Sequence, residues 1–200
     1  MRGFYITLLL FISLNAFAQD STTERKKPTD NWFIGGSVSF SLGGYNNTFL
    51  AGLHPHYGYT LTRWLDVAAV VNFEYYSTRD EYNNKYHNTT YGLGVFSRIY
   101  PVEFLFLQVE PEYNFIDVKY IPGVGSSEKL NLSAPSLLVG AGYTTSRSDK
   151  NTFTYVSILI DVIKDINSPY VDGYGNQIPV IRAGINIGIH PRHKISRRTE

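Results

Sequence analysis

Strict alternation of apolar and small or polar residues, repeated over eight segments, is the feature that most limits what this chain can fold into. Between Trp32 and His190 the candidate strands are 32–42, 49–61, 64–76, 89–100, 104–115, 132–143, 153–163 and 179–190. Successive side chains of a strand point to opposite sheet faces, so each segment carries two distinct faces. The last segment sets Ile181, Ala183, Ile185, Ile187 and Ile189 against Arg182, Gly184, Asn186, Gly188 and His190. Segment 153–163 sets Val156, Ile158, Ile160 and Val162 against Tyr155, Ser157, Leu159 and Asp161. In 64–76, Leu65, Val67, Ala69, Val71, Phe73 and Tyr75 oppose Asp66, Asn72 and Glu74. No charged residue falls on the apolar face of any segment. Asp66, Glu74, Arg98, Glu110, Glu112, Asp161 and Arg182 all take the other face.

Such segregation is what lipid enforces, because an Arg or Lys facing the bilayer midplane costs about 2–4 kcal/mol. The expected fold is all-β: an eight-stranded antiparallel up-and-down transmembrane β-barrel. Connections support it, with short links at Thr62–Arg63 and Pro101–Glu103 and a longer one at Thr144–Thr152. On the other side lie longer loops at Gly43–Thr48, Ser77–Asn88, Ile116–Asn131 and Lys164–Ile178. Aromatic residues make up 15% of the chain, which matters because of where they fall. Trp32, Tyr57, Tyr59, Trp64, Tyr100 and Phe104 mark one membrane boundary. Tyr45, Phe49, Tyr75, Tyr76, Tyr91, Tyr113 and Phe115 mark the other, as expected of two interfacial girdles.

The N-terminus carries a different signal. Arg2 precedes an apolar run from Phe4 to Leu14, and Ala16-Phe17-Ala18 provides a small-x-small cleavage site. The expected organisation is a cleaved signal peptide at 1–18, a flexible segment at 19–31, the barrel at 32–190 and a basic tail at 191–200. The chain contains no Cys, so disulfides, thiolate metal sites and an N-terminal lipidated Cys are excluded. Lys+Arg number 18 against 17 Asp+Glu, and this balance gives no field for nucleic acid.

Signal peptide, amphipathic strands, alternating connections and two aromatic bands together resemble the small outer-membrane β-barrels of Gram-negative bacteria. The similarity is to the OmpA-type eight-stranded barrel without a peptidoglycan-binding domain, over about residues 32–190. Arg182, Gly184, Ile187 and Ile189 resemble the C-terminal signal that the outer-membrane assembly machinery reads in such barrels. Ile189 stands where that signal has an aromatic residue, and the tail 191–200 continues beyond it. The resemblance implies an outer-membrane location, membrane lipids and the assembly machinery as partners, and a monomer.

An eight-stranded barrel has an interior just wide enough for side chains to fill. A structural lumen network of His54, His56, Asp66, Glu74, Arg98, Glu110, Glu112, Asp161 and Arg182 is therefore expected, as an Arg–carboxylate lattice bridged by the two His. His54-Pro55-His56 and Glu110-Pro111-Glu112 each direct two ligand-type side chains to one face, the raw material of a divalent metal site. Their strands are not neighbours, and no metal, cofactor or catalytic residue is assigned. The expected function is non-enzymatic: a scaffold for envelope integrity, or for adhesion and recognition through its loops. Loop residues Tyr82, Asn83, Asn84, Tyr86, Tyr120, Gly123, Gly125, Tyr170, Tyr174 and Asn176 offer adaptable contacts to an extracellular ligand. Two alternatives carry their own signatures. A lipid A-modifying enzyme would use His87 with Ser77, Asp80 or Glu81, and a soluble lipocalin-like carrier would need an apolar interior and a polar exterior.

Overall fold

The computed structural model describes residues 31–43, 48–79, 84–123, 126–145, 152–171 and 175–189. Eight strands form: β1 (Trp32–Gly43), β2 (Thr48–Thr62), β3 (Leu65–Arg79), β4 (Lys85–Val102), β5 (Leu105–Ile121), β6 (Glu128–Thr144), β7 (Thr152–Asp161) and β8 (Val180–Gly188). Each pairs antiparallel with its neighbours in sequence. β1 closes on β8 through partners running from Phe33 opposite Gly188 to Ser39 opposite Arg182. The ring therefore has no free edge. The expected signal peptide, the N-terminal segment up to residue 30 and the basic tail lie outside the described residues, as do Tyr45, Asp80, Glu81, His190 and His193.

The two faces of the wall are the reverse of a soluble barrel. Leu53, Leu93, Val95, Leu107, Ile158 and Ile181 stand outward and exposed, Leu93 at 63%. His54, Asp66, Asn72, Glu110, Asn114 and Asn186 point inward and are buried. This arrangement is the opposite of what a lipocalin-like carrier requires. One aromatic band forms where β1 and β2 meet at the turn end. The Trp32 ring lies 5.0 Å from Tyr57 and 4.9 Å from Tyr59, and Phe104 and Tyr143 lie 6.2 Å apart. Phe49, Tyr75, Tyr91, Tyr113 and Phe115 stand outward toward the opposite end. Tyr100 does not join the first band. It is an even-numbered residue of β4, the inward phase, and is buried against Phe106 with ring centroids 5.6 Å apart.

The strand limits differ most at the loop end. β3, β4, β5 and β6 run to 15, 18, 17 and 17 residues, against 10 and 9 for β7 and β8. Most of Ser77–Asn88 and Ile116–Asn131, expected as loops, is therefore paired strand. Above the membrane both faces of a hairpin meet water, so the apolar alternation that marks a strand stops although the ladder continues. The turns between β2 and β3 and between β4 and β5 are Arg63–Trp64 and Glu103–Phe104, each ending one residue later than the link read from the sequence. The connection from β7 to β8 is a long loop, as expected.

An outward charge should expose the solvent on this wall. Leu107→Arg is expected to lower folding stability in phospholipid vesicles by about 2–4 kcal/mol, measured as the urea concentration at which the compact electrophoretic band is lost. Stability equal to the parent would place the outer face in water.

Candidate functional site: the barrel interior

All nine residues expected in the lumen are buried within the ring: His54, His56, Asp66, Glu74, Arg98, Glu110, Glu112, Asp161 and Arg182. Two of the sequence motifs place their side chains by the same device. Pro55 and Pro111 lack a backbone N–H, and the ladder is interrupted beside each one. β2–β3 pairing skips from Leu53–Phe73 to His56–Val70, and β4–β5 pairing skips from Gly94–Glu112 to Ser97–Val109. The prolines occupy the outward phase, so both flanking side chains project inward at mid-wall.

Toward the turn end the interior is aromatic. Phe33, Ala68, Val70 and Phe96 form one buried cluster, and Tyr100, Phe106 and Tyr155 form a second. Glycines make room for these rings. A Cβ on Gly58 would meet the Phe33 ring, one on Gly142 the Phe106 ring, and one on Gly184 the Tyr155 ring. The guanidinium of Arg98 sits among this group, its Cζ 3.9 Å from the Tyr155 ring centre, 4.3 Å from Phe96 and 4.8 Å from Phe106. Cation–π attraction of this kind reaches about 2 kcal/mol when desolvated.

The middle of the lumen is a continuous polar network. Arg182 Nη1 donates to Glu110 Oε1 at 2.8 Å, and its Nη2 lies 3.9 Å from Glu112 Oε2. Arg98 Nε donates to Gln108 Oε1 at 2.7 Å, and Gln108 in turn donates to Glu110 Oε2. Arg98 thus reaches Glu110 through an amide, which refines the expected direct lattice. Asn72 and Asn114 each donate to Glu112 at 2.6 Å. His54 Nδ1 meets Asn72 Oδ1 at 2.8 Å while its Nε2 meets Ser39 Oγ at 3.0 Å and lies 3.5 Å from Glu74. His56 Nε2 meets Asn186 Oδ1 at 2.7 Å. Gln108, Asn72, Asn114 and Asn186 are network members that charge-based reading passed over. Their inward phase on β3, β5 and β8 was the available signal.

At the loop end residues 162–171, which follow β7, fold into the mouth. Tyr170, expected as a surface contact residue, is only 1% exposed and packs with Leu138, Leu159 and Val180. Its hydroxyl lies 3.4 Å from both Glu74 Oε1 and Arg182 Nη2. The loop is anchored by Asp161, whose carboxylate accepts from Leu137 N at 3.0 Å, Ile163 N at 3.1 Å and Ser168 Oγ at 2.7 Å. Asp161 therefore holds a loop and does not belong to the Arg lattice. An aromatic ring with one polar tip suits a lumen whose walls are polar and whose mouth is apolar, and that is why a Tyr read as a loop contact turns inward.

The remaining candidates disperse. Among the described residues no group of three or more His, Asp or Glu side chains could hold a metal ion. His54 and His56 give their ring nitrogens to Asn72, Ser39 and Asn186, and Glu110 and Glu112 turn toward Arg182. His87 pairs across the ladder with Ser77, but its Nδ1 is engaged by the Tyr75 hydroxyl at 2.7 Å.

A closed ring of eight antiparallel strands has solved counterparts. Neisserial surface protein A superposes with a TM-score of 0.50 at 12% identity, over 78% of this chain and 96% of that one. The fold is that of a small eight-stranded outer-membrane barrel. Ail, the attachment invasion locus protein of Yersinia pestis, was solved in complex with the heparin analogue sucrose octasulfate and matches with a TM-score of 0.47 at 13% identity, over 79% of this chain and 95% of that one. The N-terminal β-barrel domain of Pseudomonas aeruginosa OprF matches with a TM-score of 0.41 at 15% identity, over 80% and 96%. No protein-family model and no curated protein matches the sequence.

Arg182 and Arg98 should fail differently when truncated. Arg182→Ala leaves buried Glu110 and Glu112 without their cation, and breaking such a pair costs about 3–5 kcal/mol. The expected result is a marked drop in the temperature at which the folded band disappears in detergent, partly restored by adding Glu110→Gln. Arg98→Met keeps the stem packed among the rings and should cost less than Arg182→Met in the same assay.

Proposed function

We propose that this chain is a non-enzymatic integral outer-membrane barrel, a filled scaffold that presents outward-facing hairpins and loops for envelope integrity or surface recognition. The observation that carries this reading is the combination of a wall that is apolar and charge-free between its two aromatic bands with an interior occupied by side chains from the aromatic cluster to the mouth. Lipid accounts for the wall. The packed interior, from the aromatic cluster around Arg98 through the Arg182–Glu110 pair to Tyr170, leaves the barrel a support and not a conduit. A Neisserial surface protein has the same fold, in keeping with a surface role.

Export by the signal peptide at residues 1–18 and recognition of Arg182, Gly184, Ile187 and Ile189 by the assembly machinery belong to the same proposal. Gly184 has a packing reason of its own, since the Tyr155 ring occupies the place of its side chain. Ile187 stands outward on β8, and the Ile189 N–H donates to the Trp32 carbonyl at 3.0 Å, extending the β8 contact with β1. Partners are membrane lipids and, through the loops, an extracellular ligand; the closed ring is complete as a monomer.

Membrane fractionation combined with electrophoresis tests the reading. The expected result is a protein that stays in the outer-membrane pellet after carbonate extraction and migrates faster unheated than boiled. In planar bilayers it should give no steady ion conductance. Soluble recovery with no heat-dependent shift would overturn the location and the scaffold together, while a sustained open channel would overturn the filled interior.

A further inference from the structure

Above the outer aromatic band, the lipid-facing phase of the wall changes from apolar to basic. On β3 the outward series runs Phe73, Tyr75, Ser77, Arg79, and on β4, read in the same direction, Tyr91, Thr89, His87, Lys85. On β5 it runs Phe115, Asp117, Lys119, Ile121, and on β6 Ser133, Asn131, Lys129. On three adjacent strands a basic side chain thus follows the last outward ring by four residues: Tyr75 to Arg79, Tyr91 to His87 and Phe115 to Lys119. Four residues cover about 13 Å along a strand, and about 10 Å in height at the usual barrel tilt. That is the headgroup layer immediately outside the hydrocarbon.

The register makes the cluster costly. His87 lies directly opposite Lys119, and Lys119 directly opposite Lys129. The two lysines are like charges facing each other across the ladder, which destabilises it. β5 is interior to the sheet, so protection of an exposed edge does not account for the lysine there. The same side chains line a groove of about 670 Å³ together with Tyr75, Thr89, Asp117 and Asn131. Asp117 is the one acid among the groove's lining residues, and it accepts from the Tyr91 hydroxyl at 2.6 Å.

We infer that this groove, with Arg79 and Lys85 beside it, is a binding site for the phosphate-bearing headgroup of an outer-leaflet glycolipid of the lipid A class. Phosphate oxygens satisfy the facing cations, and the hydroxyl and amide side chains of Thr89 and Asn131 suit a sugar. The site is continuous with the lipid-contacting wall, which favours a membrane headgroup over a soluble polyanion. The inference rests on the membrane orientation proposed above.

The test uses the full mature chain, refolded in neutral detergent and checked for its heat-dependent gel shift, with fluorescent bis-phosphorylated lipid A as probe. Lys119→Gln with Lys129→Gln is expected to lower affinity about 25-fold, the product of two surface cations at roughly fivefold each. Lys119→Arg with Lys129→Arg should keep it, and rising salt should weaken binding. Dephosphorylated lipid A should bind poorly. Equal binding by the Gln variant, or no preference for the phosphorylated lipid in a barrel that shows its gel shift, would overturn the site while leaving the barrel reading intact. Displacement by inorganic phosphate or by a sulfated polysaccharide as effective as displacement by lipid A would also overturn it, by assigning the groove to a soluble anion. Loss of the gel shift in the parent protein would instead remove the membrane reading on which the site depends.

Discussion

Everything in this molecule depends on the ladder between β1 and β8. An open sheet in hydrocarbon leaves a row of unpaired N–H and C=O groups at each edge, each costing several kcal/mol. Closing the ring through Phe33–Ser39 and Arg182–Gly188 removes both edges. Closure then dictates the rest, because eight tilted strands enclose a space that must be filled by their own alternate side chains. The outward half of each strand answers to lipid and the inward half to its neighbours across the lumen.

The interior solves two different problems of buried charge. Arg182 is neutralised by acids, with Glu110 in contact and Glu112 close by. Arg98 is enclosed by aromatic faces and relays to Glu110 through Gln108. Amides from Asn72 and Asn114 supply the hydrogen bonds that the Glu112 carboxylate would otherwise lack. Replacing water with this set of fixed donors lets a densely polar core exist inside an apolar shell.

Strand number, face assignment and the inward position of every charged lumen residue were legible in the sequence, because period two separates lipid from lumen residue by residue. Height was not. Nothing in the alternation of β3 and β5 says that Glu110 rather than Asp66 meets Arg182, since that choice depends on the stagger between strands. The hairpin extensions of β3 to β6 were hidden for a related reason, as Thr78, Lys85 and His87 carry no contrast between faces once both meet water. Tyr170 was misplaced because loops are read as polar surface, whereas this one turns its ring into the mouth. Tyr100 was misplaced by its proximity to a turn, although its even position in β4 already assigned it to the inside.

Arg182 lies on the eighth strand, while the acids it serves lie on the fifth, 72 residues earlier in the case of Glu110. Any intermediate that has laid down β1 to β7 holds Glu110 and Glu112 around a lumen still lacking its central cation and still exposing two edges. Arrival of β8 zips the seam and inserts the guanidinium in one event. Sealing and charge neutralisation are therefore coupled, which gives the assembling barrel little stability short of completion. A chain cut before Arg182 loses its lock as well as its last stave.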